Sequence, residues 1–200
     1  MDSIPPFSRR TFLKGLSLAP LTKLPAEVLH ERRHAPLPAG EEEILQLQVD
    51  GQEWKGKVEA RTTLLDLLRN RIGNTGPKEV CDLGACGACT VLLNGRTVNA
   101  CMTLALACQG ATVVTVRGIG SPRYPHPLQE AFVEDDALQC GFCTPGMILS
   151  AFALLERNAN PTRREIQEAL AGNLCRCGTY TRIFEAVERA AAELRRRRNK

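Results

Sequence analysis

Cys81-Asp82-Leu83-Gly84-Ala85-Cys86-Gly87-Ala88-Cys89, with a further cysteine at Cys101, is the stretch on which the fold of this chain turns. C-x4-C-x2-C followed by a distant fourth cysteine is the spacing of a plant-type [2Fe–2S] site. Gly84 and Gly87 let a loop curl closely enough for its N–H groups to reach cluster sulfides, and Ala85 and Ala88 put no bulk in the way. Such hydrogen bonds help set a reduction potential. Zinc needs no glycine-lined wrap of this kind.

The sequence on either side of the loop reads as a small α+β domain. Before it, Ile44, Leu45, Leu47 and Val49 lead into an Asp50-Gly51 turn and a second run around Trp54 to Val58, a hairpin pattern. Thr62 or Thr63 can cap a helix whose Leu64, Leu65, Leu67 and Leu68 form an apolar face, ended by the Gly73 to Pro77 segment. After it, Thr90–Leu93 and Thr97–Ala100 flank Asn94-Gly95, a second hairpin. A helical stretch over Thr103 to Gln109 and a β-branched strand over Thr112 to Val116 follow. Gly118 to Pro127 reads as a linker.

From Pro127 onward the strand signals stop. Leu128–Ala137, Pro145–Arg157, Thr162–Ala171 and Thr179–Arg196 each carry helical spacing, with Pro145 and Pro161 near helix starts, where a missing N–H costs little. Four helices in this length make a small bundle. It contains a second cysteine set, Cys140, Cys143, Cys175 and Cys177, at a helix start and in the loop before the last helix. Spacing alone leaves iron–sulfur, zinc and disulfide open for it, although two cysteines one residue apart suit a shared metal better than a bond to each other. The ninth cysteine, Cys108, sits among Leu104, Leu106 and Ala107 and reads as a buried apolar thiol. His126, between Pro125 and Pro127, reads as a turn residue at the domain junction, and Arg176 as a residue placed for charge or partner contact.

Composition excludes several classes. Hydrophobic residues at 44% and charged residues at 24% belong to a folded chain, while 4% aromatic gives a light core that gains from metal cross-links. The net charge of +4 comes from the ends: 15 basic against 19 acidic residues lie between Glu41 and Leu194. The basic tail Arg195 to Arg198 with Lys200 has no aromatic stacking series beside it, so it reads as a solvated helix end and nucleic acid is not an expected partner. No window reaches the roughly 18 continuous apolar residues of a membrane span, so a soluble mature chain is expected.

Ser8-Arg9-Arg10-Thr11-Phe12-Leu13-Lys14, followed by the apolar Gly15 to Leu21, resembles a twin-arginine export signal. That route carries proteins already folded with cofactor in place, which suits a cysteine-rich metal protein, and implies a periplasmic location; a cytoplasmic location is the alternative. Residues 20–40 read as an extended arm in which His30 and His34 are solvated. The expected organisation is 1–42 leader and linker, 43–117 ferredoxin-like domain, 118–126 linker and 127–200 helical domain with its basic tail.

Three motifs occur together: the Cys81 to Val91 loop, Gln139-Cys140-Gly141-Phe142-Cys143-Thr144-Pro145-Gly146-Met147, and Gly172-Asn173-Leu174-Cys175-Arg176-Cys177. In identity and order they resemble the signatures of the iron–sulfur subunit of the xanthine dehydrogenase / aldehyde oxidoreductase family, over roughly Ile44 to Ala192. That resemblance implies a plant-type ferredoxin-like (β-grasp) domain followed by a four-helix-bundle domain, each with one [2Fe–2S] cluster. It implies that Cys81, Cys86, Cys89 and Cys101 hold the flavin-proximal cluster and that Cys140, Cys143, Cys175 and Cys177 hold the molybdenum-proximal one. Gln139 matches the position whose amide hydrogen-bonds the pterin of the molybdenum cofactor across a subunit interface; an amide donates and accepts at once.

The implied partners are a large molybdenum-cofactor subunit and an FAD-binding medium subunit. Catalytic residues are expected on those chains, since no glycine-rich strand-to-helix dinucleotide motif occurs here. Gly178-Thr179-Tyr180 resembles the periplasmic aldehyde oxidoreductase branch, which favours aldehydes over xanthine, carbon monoxide, isoquinoline or nicotine as substrate. A free-standing ferredoxin-like carrier and a zinc-stabilised interaction module are the competing classes.

Overall fold

The computed structural model describes residues 40 and 42–199. The twin-arginine motif, the apolar stretch after it, the arm with His30 and His34, and Lys200 lie outside the described residues.

Five strands, β1 Glu42–Val49, β2 Gln52–Glu59, β3 Thr90–Leu93, β4 Arg96–Asn99 and β5 Thr112–Val114, form one mixed sheet in the order β2-β1-β5-β3-β4. β1 and β5 run parallel; the other neighbours are antiparallel. Both hairpins turn on two consecutive residues of positive φ, Asp50 (51°) with Gly51 (80°) and Asn94 (48°) with Gly95 (78°). That geometry matches the twist of the flanking strands. Period-two alternation in β1 buries Leu45, Leu47 and Val49 and leaves Gln46 and Gln48 outside.

Helix α1, Leu64–Asp66, is capped by the Thr63 hydroxyl, which accepts from Asp66 N at 3.1 Å, and runs on as a π-helical turn over Leu67–Arg71. Its four leucines and Val91, Val113, Cys108 and Ala105 complete the core under the sheet. Cys108 is fully buried, its thiol pushed up in pKa by that burial.

The helical stretch expected over Thr103 to Gln109 is corrected. Two short 3₁₀ turns, Ala100–Met102 and Ala105–Cys108, flank an extended Thr103-Leu104. The chain there pairs instead with the approach to α1, Leu64 N donating to Thr103 O at 2.7 Å and Ala105 N to Thr62 O at 2.8 Å. A tertiary bridge thus overrides local helical spacing. β5 likewise stops at Val114, because Asp50 draws Thr115 out of the ladder, accepting from its N–H and its hydroxyl at 2.7 Å each.

The helical half contains α2 Pro127–Glu134, α3 Thr144–Arg157, α4 Arg163–Leu170 and α5 Tyr180–Arg198 around one core with Phe132, Met147, Ile166 and Ile183 at its centre. Leu149 and Ala153 of α3 pack on Leu92 of β3, so the sheet and the helices share a seam. The arginines of the tail are tied back: Arg197 reaches Glu130 of α2 at 3.1 Å and Arg198 reaches Glu156 of α3 at 3.8 Å. None of the described helices is long and apolar enough to cross a membrane.

His126 does more than fill a turn. Its Nδ1 accepts from Leu128 N at 3.2 Å, capping α2, while Gln129 Oε1 accepts from His126 N at 2.9 Å. Only the neutral imidazole can accept. Burial lowers its pKa, helped by the charge of Arg197 and opposed by the carboxylates of Glu156 and Glu130. A folded pKa below the unfolded one means that this stabilisation is full above about pH 6.5 and is lost as pH falls through the folded value. His126→Ala is expected to cost about 1 kcal/mol near neutrality and to flatten the acid side of the stability curve. Thermal unfolding of the full chain across that pH window, with and without the substitution, measures both effects.

Candidate metal centres

The first cysteine loop curls because Asp82 (φ 53°), Gly84 (71°) and Gly87 (68°) all take the left-handed conformation. The curl turns backbone N–H groups inward, and Leu83 N lies 3.4 Å from Cys81 Sγ. Asn99 of β4 pins the loop by donating to Gly84 O at 3.0 Å. Met102 lies across Gly84 so closely that a Cβ there would stand 2.7 Å from its Cγ. Register and a turn together bring in the distant fourth thiol: Thr90 pairs with Asn99 across β3 and β4, Ala100 N donates to Cys89 O at 3.3 Å just beyond that pair, and the 3₁₀ turn Ala100–Met102 carries the Cys101 sulfur to 3.4 Å from that of Cys89.

The thiols come in twos. Cys89 is hydrogen-bonded with Cys101, and the Cys86 side chain lies near enough to shift the pKa of both Cys81 and Cys89. In the helical half Cys140 and Cys177 have sulfurs 3.5 Å apart, and Cys143 and Cys175 lie near enough to shift each other's pKa, with Cys140 acting electrostatically on Cys143. Among the described residues no three His, Cys, Asp or Glu side chains are arranged to hold one metal ion. A [2Fe–2S] cluster would be held by four thiolates, and Cys81, Cys86, Cys89 and Cys101, like Cys140, Cys143, Cys175 and Cys177, could supply them.

The electrostatics agree with that demand. Hydrogen bonds, chiefly from Leu83 N–H, bring Cys81 down to about 7. Burial first, then hydrogen bonding and charge from Cys101, push Cys89 up to about 12, and burial followed by Cys175 does the same for Cys143. Burial opposes ionisation of Cys175, but hydrogen bonds from the Thr179 hydroxyl and backbone outweigh it and bring it to about 7. Each group thus mixes a hydrogen-bonded thiol ready to ionise with a buried one that ionises only against a cation. Iron bound there would be such a cation.

Cys143 stands at the N-cap of α3, and Cys175 and Cys177 lie in the loop before α5, where the Tyr180 hydroxyl accepts from Cys175 N at 2.7 Å. Gln139 and Cys140 are exposed, and Gln139 lines a cavity of about 390 Å³ whose walls include Asp136, Thr179 and Arg182. Arg176 is exposed. Cys108 belongs to neither group.

Sequence reasoning missed the residues that join the two groups. Leu174 N donates to Cys86 O at 2.9 Å, so a residue next to Cys175 touches one of the first four cysteines directly. Asn173, Ser150, Thr90, Gly87 and Gly146 surround this contact. The signal available was that Gly87, Gly146 and Asn173 each lie inside one of the three cysteine motifs without being a ligand type.

Residues 47–111 match the 2Fe-2S iron-sulfur cluster binding domain family and residues 115–188 the [2Fe-2S] binding domain family. The chain is 42% identical over 205 residues, 94% of its length and 90% of the relative's, to the aldehyde oxidoreductase iron-sulfur-binding subunit of Escherichia coli (strain K12). It is 46% identical over 146 residues to the nicotinate dehydrogenase small FeS subunit of Eubacterium barkeri, covering 73% of this chain and 93% of that one. The crystal structure of quinoline 2-oxidoreductase from Pseudomonas putida 86 superposes with a TM-score of 0.75 at 39% identity, over 79% of this chain and 98% of that chain.

Proposed function

We propose, because the chain belongs to the family of iron–sulfur small subunits of molybdenum hydroxylases, that it is the electron-carrying subunit of a molybdenum-dependent oxidoreductase. Cys81, Cys86, Cys89 and Cys101 hold one [2Fe–2S] cluster in this reading and Cys140, Cys143, Cys175 and Cys177 the other. The observation that carries it is the arrangement of eight thiols as two pairs of pairs in touching loops, with sulfur separations of 3.4 and 3.5 Å. Bound there, the clusters supply one-electron redox chemistry. The chain's own part is to position and tune: N–H groups of the curled loop hydrogen-bond Cys81, the Thr179 hydroxyl reaches Cys175 Sγ at 3.2 Å, and burial keeps water from Cys89 and Cys143.

Gln139 is exposed in the cavity at the start of α5, with exposed Cys140 next to it in the chain, which supports a docking place there for the large molybdenum-cofactor subunit, with the Gln139 amide meeting the pterin. Val80, Leu83 and Met102, exposed apolar residues around the first cysteine loop, support contact with the FAD-binding medium subunit on that side. The Escherichia coli relative and Gly178-Thr179-Tyr180 favour an aldehyde as substrate of the complex. The nicotinate dehydrogenase relative supports an N-heterocycle as the second reading. Ser8 to Lys14 supports export by the twin-arginine route to the periplasm.

Anaerobic purification of the complex from its native source tests this. Two distinct reduced [2Fe–2S] EPR signals, iron for both centres, and co-purifying flavin and molybdenum proteins are expected. A colourless zinc-loaded chain, or one that purifies without partners, would sink the proposal.

A further inference from the structure

The two cysteine loops meet backbone to backbone. A Cβ on Gly146 would overlap the Gly87 carbonyl oxygen, and one on Gly87 would overlap the Gly172 carbonyl oxygen and stand 2.6 Å from Asn173 Nδ2. Asn173 is 4% exposed and lies in the middle of this junction. Its Nδ2 donates to Gly87 O at 2.9 Å and to Thr90 Oγ1 at 3.3 Å; its Oδ1 accepts from the Ser150 hydroxyl at 2.7 Å. The amide orientation follows, because Gly87 O can only accept.

One residue beyond Asn173, Leu174 N donates to Cys86 O at 2.9 Å, and one residue beyond that is Cys175. A covalent line interrupted by a single hydrogen bond therefore runs from Cys86 to Cys175. Asn173 grips the carbonyl of Gly87, which follows Cys86, while Ser150 of α3 and Thr90 of β3 hold Asn173 in turn. Loop, sheet and helix are clamped where the line crosses from one half to the other.

We propose that Asn173 is a positioning residue for electron transfer between the two sites: through its buried bonds to Gly87, Thr90 and Ser150 it fixes the Leu174 N–H to Cys86 O contact that couples them. This rests on the reading of the two cysteine groups as [2Fe–2S] sites. One electron leaves the reduced helical-half site and arrives at the oxidised first site, the reductant upstream being the substrate oxidised on the partner. No bond forms or breaks, and the Leu174 proton stays on nitrogen.

Asn173→Asp places an acceptor where Gly87 O needs a donor and pushes the two loops apart while keeping the side chain's size. In the purified, iron-loaded complex, one electron is introduced by a photoreduction flash and its redistribution between the two signals is followed by rapid-freeze EPR. The variant is expected to keep both signals and to equilibrate about tenfold or more slowly, the order of loss that misplacement by an ångström or less produces at reacting groups. The magnetic splitting between the two reduced centres, which depends on their separation, is expected to change with it.

Ser150→Ala, a milder release of the same amide, is expected to slow equilibration in the same direction by a smaller factor, and it decides the matter if Asn173→Asp fails to fold. Phe132→Leu lowers stability within the helical core away from the junction and is expected to leave rate and splitting unchanged. Unaltered rate and splitting in an iron-loaded Asn173→Asp or Ser150→Ala complex would overturn this assignment alone. Absence of two iron signals in the unaltered complex would overturn the reading beneath it.

Discussion

Replacing Cys143 by alanine is expected to remove the iron of the helical half while that of the first cysteine group stays, so that iron per chain falls by half and one of two EPR signals disappears. The reason lies in where Cys143 stands. It is at once the buried N-cap of α3, the partner of Cys175 and a neighbour of the core that includes Met147 and Ile183. The four helices hold together partly through whatever bridges the loop before α3 to the loop before α5, and structural zinc in small domains shows the scale of folding energy that a metal bridge can supply, on the order of 10 kcal/mol. The helical half of the variant is therefore expected to unfold at markedly lower temperature than the sheet half. Cys108→Ala is the contrast: it removes a buried core thiol that hydrogen-bonds the Leu104 carbonyl at 3.6 Å and belongs to neither cysteine group, and it should leave both signals intact. Iron analysis, EPR and calorimetry on the two variants side by side check all of this. A Cys143→Ala protein with both signals would refute the ligand assignment.

Gly87→Ala is expected to lower stability by about 3 kcal/mol, from a left-handed backbone that costs an L-residue about 1–2 kcal/mol and an overpacked contact that costs a similar amount. Its φ of 68° and the nearness of Gly172 O and Asn173 leave the new methyl no free direction, and backbone on the far side has to move. Gly51→Ala separates the two contributions. Gly51 has a φ of 80° but open space around its Cβ position, so only the conformational cost of about 1–2 kcal/mol remains there. Thermal unfolding midpoints for the two variants should differ by several degrees, with Gly87→Ala the lower. Equal midpoints would show that the two halves do not press on each other through Gly87.

Much of the α+β half was legible because its signals are local. Asp50-Gly51 and Asn94-Gly95 each carry both positive φ values of a tight turn within two residues, and Thr63 caps α1 three residues from its target. The four helices after Pro127 likewise announce themselves by apolar spacing and by prolines near their starts. Where local and distant preferences conflict, the reading failed: Thr103 to Gln109 has helical spacing, yet pairing with Thr62 and Leu64 straightens its first residues. His126 read as a turn residue because its cap acts through a ring nitrogen that no common capping motif includes.

The chain's own order of residues determined which eight thiols stand out, how they divide four and four, and which turns bend the loops around them; each depends on contacts a few residues long, which spacing and residue type express directly. Which thiol faces which, and that Leu174 touches Cys86 while Asn173 bridges Gly87, Thr90 and Ser150, was decided only by the tertiary structure. The partners of Asn173 and Leu174 are separated from them by 23 to 88 positions along the chain, and whether they meet depends on strand register and on how α3 seats against β3, neither of which any single segment encodes.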